Sequence, residues 1–598
     1  MGLPKRQDVP DELTWDLTRI FADEAAYEAC VTELADLTQR ICGYKGSLRT
    51  AEDVLDVLDL YNEYRMKESW CASYCSLSTS VDMTNETLAM REQKLFRILS
   101  EQGAALAFLE NEILGLPEAV LAAAIRSTDR YAHFLQVLLD KKAHLLSPAE
   151  EALLAKLGPV LSAPLQHYED TKLADMQFPD FEVDGKNYPN SFVLFENVYQ
   201  YEPDTKVRRA AFAAFSGVLR QYHLTIADDY ITRVQAEKIE SELRGFDSVI
   251  DYLLAQQRVP AELYHRQIDL IMERLAPVMR KYVKLLQREY DLDKLCYADL
   301  KLPLERHLQP RVSIEESKAY VEKALARLGE EYLELAMGAY RDRWVDYAQN
   351  EGKSTGGFCA SPYGKGGFIL LSWTGLLSEV YTMVHEIGHG VHFMLSQREN
   401  SALEEAPSLY IIEAPSTANE LLLSQALLKE AKDDTFRRYV LSSMIGNTYY
   451  HNFVTHLLEA AYQREVYRLV DRHEALSAGT LDSLKKEVLA KFWGDAVELT
   501  EGAELTWMRQ PHYYMGLYPY TYSAGLTVST AVVQRMQTDP AAVEDWLSML
   551  RAGGSKDVAE LALLAGVDLH TEGPLLTTID YLRDVVDEIA AITERMGI

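Results

Sequence analysis

Apolar residues recur at helical spacing along almost the whole chain, and this restricts the fold more than any single motif does. Val54, Leu55, Val57, Leu58 and Leu60 repeat in this way, as do Leu95, Ile98, Leu99, Leu106 and Leu109. Pro159 and Pro164 break the pattern. The segment 175–203 holds the turn signals Phe178-Pro179, Asp184-Gly185 and Tyr188-Pro189, which predict a short hairpin or irregular connection. Helical periodicity resumes near Thr205, runs to about Gly245, and returns in further helices to about Ala348. The C-terminal part is again helical, apart from an aromatic loop expected around 511–523. A chain of 598 residues is too long for one core. The expectation is an N-terminal helical lobe over 1–190 and a second region over 191–598.

One segment departs from this regime. Gly352, Gly356, Gly357, Gly364, Gly366 and Gly367 precede Phe368-Ile369-Leu370-Leu371-Ser372-Trp373, a short apolar run bounded by glycine that reads as a strand. Ser378 then opens a helix expected to run to about Leu395.

That helix carries His385-Glu386-Ile387-Gly388-His389. Residues i and i+4 share a helical face, so His385 and His389 can offer imidazole nitrogens to one metal ion, with Glu386 beside them. Zinc in such a site lowers the pKa of water to about 7, and Glu386 would take the water's proton and pass it to a leaving amine. The alternative is an amphipathic helix that merely carries histidines. Val380, Met383, Val384, Ile387 and Val391 make the helix apolar, and two histidines and a glutamate without partners would be costly among them. Gly388 and Gly390 lower helix propensity in the same turn, which a close approach by another backbone would explain.

A catalytic zinc needs a third protein ligand and an open position. Downstream, Tyr410-Ile411-Ile412-Glu413-Ala414-Pro415 sets Glu413 at a helix start, because proline fits only the first turn. Glu413 is the third ligand by this reading. Glu420, two turns further on the same face, could orient a ligand histidine. Glu404 and Glu405 are alternatives, but read as solvated charge in a loop. The stretch from Pro511 to Tyr522 is dense in phenols and is the best source of donors for an oxyanion, with His512 ahead of any single tyrosine.

Charge and cysteine usage narrow the setting. There are 60 basic and 91 acidic residues, a net charge of −31, which argues against nucleic acid and membrane-surface partners. Met1 to Asp8 leads into no apolar stretch of signal-peptide length, Gly2 lacks the serine or threonine of an acylation start, and no run of about 18 apolar residues occurs. The six cysteines form no CxxC pair and suit a reducing compartment. A cytoplasmic location is expected.

With these residues in view, the chain resembles oligoendopeptidase F of the M3 (thimet oligopeptidase-like) zinc metallopeptidase family. The resemblance spans nearly the whole chain. It rests on the pentad followed by Glu413-Ala414-Pro415-Ser416, and on Leu13-Thr14-Trp15-Asp16-Leu17, Tyr297-Ala298-Asp299-Leu300, Trp344-Val345-Asp346, Gly352 to Cys359, Leu550 to Ser555 and Gly566-Val567-Asp568. It implies a mostly α fold of two lobes across a deep central channel, with a small β element beside the zinc helix. It implies one zinc ion per chain on His385, His389 and Glu413, and Glu386 as general base. It further implies oxyanion and substrate contacts from His512, Tyr518 and Tyr522, with Tyr514 or Tyr520 able to replace either tyrosine. Short peptides would be cut internally, docked along the free edge of the strand Phe368–Ser372. Two other readings stay open. One is a zinc carboxypeptidase on a similar scaffold, although no carboxylate-clamping arginine stands nearer the pentad than Arg398. The other is a non-catalytic helical peptide-binding protein.

Overall fold

The computed structural model describes residues 3–597; Met1 and Gly2, considered above for signal and acylation, lie outside the described residues, as does Ile598. Helices account for most of the chain. Near the N-terminus they are α1 (Glu24–Cys42), α2 (Ala51–Ser80) and α3 (Glu86–Leu106). Helix α2 starts at a reciprocal cap: the Asp53 amide donates to Thr50 Oγ1 at 3.1 Å, and the Thr50 amide donates to Asp53 Oδ2 at 2.8 Å. The apolar faces of these helices and of the shorter ones that follow as far as Ala132–Lys141, from Leu34 and Val54 through Leu138, form one core. A second and larger core begins at Tyr168 and takes in the remainder.

The two cores meet at a small three-stranded sheet. Strands β1 (Phe181–Val183) and β2 (Lys186–Tyr188) form the anticipated hairpin, turning through Asp184 and Gly185 at φ 50° and 78°. Strands β3 (Val345–Asp346), β4 (Phe358–Ala360) and β5 (Phe368–Leu370) form a sheet in the order β3-β5-β4. Because side chains alternate along a strand, Phe368 and Leu370 of β5 enter the first core and Ile369 enters the second. The order also corrects an expectation. Strand β5 is paired on both sides, so it has no free edge; β4 is the edge strand on the side away from β3.

Two further expectations are corrected. Pro159 does not break a helix but lies in the last turn of Pro148–Leu161, where it removes one hydrogen bond just before the helix stops; Pro164 does open the next one. The aromatic loop ends at Tyr518, because Pro519 occupies the first position of a helix over Pro519–Arg535 and puts Tyr520 and Tyr522 on its first turn. No helix among the described residues is long and apolar enough to cross a membrane. All six cysteines are unpaired thiols.

The centre of the larger region is a stack of three helices: α4 (Leu377–Glu399), α5 (Ala414–Glu430) and α8 (Pro519–Arg535). Between α5 and α8 in sequence come a π-helical stretch over Met444–Thr455, α6 (His456–Asp471) and α7 (Ala478–Trp493). The two glycines of the pentad region have separate neighbours. A Cβ on Gly388 would lie 2.6 Å from Ser416 Cα and 2.8 Å from the Pro415 carbonyl oxygen, so α4 and α5 touch backbone to backbone there. A Cβ on Gly390 would meet Cys359 Sγ and the Trp344 ring, both at 3.4 Å, and Gly367 Cα at an ordinary 3.9 Å, on the side of the small sheet. Asn419 Nδ2 donates to the Val384 carbonyl at 2.9 Å, and Tyr381 and Ser424 share a hydroxyl contact at 3.0 Å, which pins the same two helices.

This packing separates two substitutions of the same kind. Gly388→Ala should lower unfolding stability by about 1–3 kcal/mol, since backbone cannot give way as a side chain would. Gly390→Ala should be neutral or raise stability by up to about 1 kcal/mol through helix propensity. Denaturant midpoints of the two variants check this; equal midpoints would refute the close-contact account.

Candidate metal centre

Helix α4 presents His385 and His389 on one face, with ring centroids 5.1 Å apart. Glu413 immediately precedes α5, where Pro415 fixes the first turn. Gly525 of α8 allows that helix to close on the same point: a Cβ there would be 3.1 Å from the Ala414 nitrogen and 3.1 Å from Glu413 Cβ. Helix α4 thereby brings two side chains and the residue before α5 a third to one spot, with the α8 backbone closed behind Glu413. His385 Nε2 and His389 Nε2 each lie 3.5 Å from Glu413 Oε2. Three atoms about 2.1 Å from a tetrahedral ion stand roughly 3.4 Å apart, so these separations fit a metal bound by all three. Their donor set of two imidazoles and one carboxylate is that of a catalytic zinc centre with a position left for water or substrate.

Glu420 fixes the tautomer of the first histidine. His385 Nδ1 lies 2.7 Å from Glu420 Oε1, so Nδ1 carries a proton and Nε2 is the nitrogen that a metal ion would take once its own proton is displaced. The other oxygen of Glu420 accepts from the Thr448 hydroxyl. Burial alone would lower the His385 pKa, but Glu420 above all, then Glu386 and Glu413, raise it to about 9. Burial likewise works against ionised Glu413, yet His389 and then His385 and His456 bring it down to about 2. The His385 shift reports the negative field of the three carboxylates, and the Glu413 shift reports the opposing field of the histidines around it.

Glu386 lies on the adjacent part of α4 and is 6% exposed. Burial raises its pKa. Its carboxylate makes no hydrogen bond or ion pair among the described residues, unlike Glu413 and Glu420, and so remains free to take a proton. A Cβ added to Gly357, next to β4, would sit 3.5 Å from Glu386 Oε1, which puts the start of β4 beside this carboxylate.

His512, Tyr518 and Tyr522 come together as a cluster. The His512 ring lies 5.1 Å from that of Tyr518 and 5.6 Å from that of Tyr522, and the two tyrosines are 5.4 Å apart. All three are half-buried. Burial first, then His456, lowers the His512 pKa to about 4, so the ring is neutral near pH 7. Tyr514 and Tyr520 point elsewhere: Tyr514 stacks on Tyr168 at 4.9 Å, and the Tyr520 hydroxyl donates to Gln257. Glu404 and Glu405, expected as solvated charge, are instead held inside. Glu404 is 4% exposed and accepts from the Phe134 amide at 2.6 Å, and burial pushes it up to about 7. Glu405 accepts from Gln397 at 2.8 Å. Arg398 pairs with Glu331 at 3.0 Å on the surface, away from the three ligands.

Sequence reasoning missed a second layer behind these groups. His456 Nδ1 contacts Glu459 Oε2 at 2.7 Å, its ring stacks on Tyr522 at 4.0 Å, and His451 Nε2 lies 3.0 Å from its Nε2. The signal available was His456-Leu457-Leu458-Glu459, a histidine and a carboxylate three apart on an apolar helix.

Comparisons with known proteins follow the same helices. Residues 198–581 match the family model for peptidase family M3, and residues 112–178 match that for oligopeptidase F. The oligopeptidase PepF of Bacillus subtilis is 27% identical over 98% of this chain and 88% of its own length. The group B oligopeptidase PepB of Streptococcus agalactiae is 27% identical over 96% of this chain and 95% of its own. The crystal structure of oligoendopeptidase-F from Enterococcus faecium shares the fold, with a TM-score of 0.74, 23% identity, and 95% of this chain and 99% of that one covered. Because the first match runs through every helix that carries His385, His389, Glu413 and Glu420, the chain belongs to peptidase family M3 and is a metalloendopeptidase.

Proposed function

We propose that the chain is a zinc-dependent oligopeptidase, cutting internal bonds of short peptides, with one zinc ion per chain held by His385, His389 and Glu413. The observation that carries this reading is the pair of 3.5 Å separations around Glu413 Oε2, with an unengaged Glu386 next to them. Zinc bound there supplies Lewis acidity, which brings the pKa of water to about 7 and polarises a peptide carbonyl. Glu386 takes the proton from the attacking water and returns it to the leaving amine. Neutral His512 and the hydroxyls of Tyr518 and Tyr522 donate hydrogen bonds to the oxyanion and to substrate. The substrate backbone pairs with the free edge of β4, which leads it past Glu386. Relatives named as oligopeptidases support short peptides as the substrate class. An N-terminal lobe over 1–190 and a catalytic region over 191–598 flank a channel that selects flexible chains, and the enzyme works in the cytoplasm.

Three variants test the roles. Glu386→Gln should keep its zinc and its fold but lose about 10²- to 10⁴-fold in kcat. Activity within a few-fold of the parent enzyme would remove Glu386 as the base. His385→Ala should lose stoichiometric zinc, read by metal analysis; full occupancy would overturn the ligand set. Glu420→Gln should weaken zinc about 10- to 100-fold while leaving the unfolding midpoint of the metal-free protein within experimental error. Unchanged zinc affinity would show that Glu420 does not support His385.

A further inference from the structure

A cavity of about 320 Å³ lies behind the His512 loop, between the π-helical stretch, α6 and α7. Its walls include four cations, Lys172, Lys301, Lys485 and Arg509, and two carboxylates, Glu196 and Glu459. Both carboxylates are already engaged: Glu196 accepts from Arg509 at 2.7 Å, and Glu459 pairs with His456 at 2.7 Å. Lys172 Nζ donates to the Arg509 carbonyl at 2.9 Å. Lys301 and Lys485 make no hydrogen bond or ion pair among the described residues. Each ammonium instead rests on an aromatic face, Lys301 on Tyr450 at 4.9 Å and Lys485 on Tyr462 at 5.6 Å. Lys485 is 3% exposed.

This arrangement runs against the rest of the molecule. The chain has 91 acidic residues for 60 basic ones, yet here cations outnumber carboxylates and two of them are unpaired. A buried charge without a partner is costly, and long lysine side chains normally reach solvent or an acid. Burial pushes both Lys301 and Lys485 down to about 8, so each still carries its charge at neutral pH and would hold it more firmly beside an anion. The cavity also adjoins the reactive groups. His451 and Glu459 line it, the His451 ring lies 4.3 Å from that of His456, and His456 stacks on Tyr522. Gln510, two residues before His512, lines it as well.

We propose that this cavity is an anion subsite that takes a carboxylate borne by the peptide substrate, either an acidic side chain or the free C-terminus, on Lys301 and Lys485. The subsite rests on the oligopeptidase reading and adds specificity to it. The rings of His451, His456 and Tyr522 stand between the cavity and the ligand set, so the carboxylate belongs to a part of the peptide beyond the scissile residues. Two ammonium groups give charge-assisted hydrogen bonds without the geometric demand of an arginine fork, which suits a flexible ligand.

The test uses peptides that share one cleaved core and differ in pairs. In one pair set, glutamate is exchanged for glutamine at successive positions; in the other, a free C-terminus is exchanged for its amide. The readout is the ratio of kcat/KM between the members of a pair within one enzyme, so a general loss of activity cancels. The parent enzyme should prefer the carboxylate member of at least one pair by about 10- to 100-fold, mainly through KM. Lys301→Gln and Lys485→Met should bring that ratio close to one, and Lys301→Arg should restore much of it. A side-chain pair that responds assigns the carboxylate to an acidic residue, and an amide pair that responds assigns it to the terminus. Ratios near one throughout in the parent enzyme, or a preference that both lysine variants retain, would overturn the subsite. If the parent enzyme cuts no peptide at all, neutral ones included, the oligopeptidase reading itself fails and the subsite falls with it.

Discussion

The contact between α4 and α5 at Gly388 is the constraint on which the rest depends. Ser416 and Pro415 approach the helix so closely that no side chain fits between. Only at that distance can Glu413, placed just before α5, put Oε2 at 3.5 Å from the Nε2 atoms of both histidines. The same approach lets Glu420, two turns along, reach the far nitrogen of His385. A methyl group at position 388 would enlarge the gap by a sizeable fraction of a hydrogen-bond length, and the ligand set would open. Helix α8 repeats the device at Gly525, where its backbone closes on Glu413. The polar groups that pin these helices, Asn419 on the Val384 carbonyl and Thr417 on Ser529 at 2.8 Å, satisfy atoms that such close packing would otherwise bury unpaired.

The site sits where the two cores meet, and the strand between them explains why. Strand β5 gives alternate residues to each core and is saturated with hydrogen bonds on both sides. It therefore serves as a fixed spine, while β4 keeps an open edge and begins beside Glu386 at Gly357. An extended peptide needs such an edge, and a rigid strand behind it holds the edge in register with the ligand helix. The chain's strong negative charge is compatible with this function because charge at the site is arranged locally. Carboxylates crowd the two histidines, and lysines and an arginine gather in the cavity behind His512.

How much of this was legible in the sequence follows from how local each feature is. The pentad, the Pro415 helix start, the Asp184-Gly185 turn and the apolar run at Phe368 are set by neighbours in the chain, and each lies where its local pattern put it, whereas the phenol-rich stretch read as loop through 523 and hid the helix start at Pro519. Glu420 was legible because it shares a helical face with Glu413. Which edge of the sheet is free was not legible, since both neighbours of β5 precede it in the chain, β3 parallel and β4 antiparallel, and no local pattern sets either pairing. Glu404 read as exposed because a loop glutamate usually is; its burial comes from the Phe134 amide, 270 positions away along the chain. The assembly of His451, His456 and Glu459 behind Tyr522 depends on a π-helical stretch that shifts the helical register, and no local pattern announces it. The resemblance put Tyr518 and Tyr522 ahead of Tyr514 and Tyr520, but no local pattern separates them, because Tyr514 and Tyr520 are absorbed by the larger core.

The central claim is that a metal ion on His385, His389 and Glu413 drives internal cleavage of short peptides. Mass spectrometry of a mixed-length peptide set, incubated with the purified protein with and without a zinc chelator, tests it most directly. The account predicts internal cuts in short peptides, lost on chelation and regained when zinc is returned. Cleavage that persists in a metal-free preparation, or no cleavage in either condition, would contradict it and leave the histidine helix a structural element.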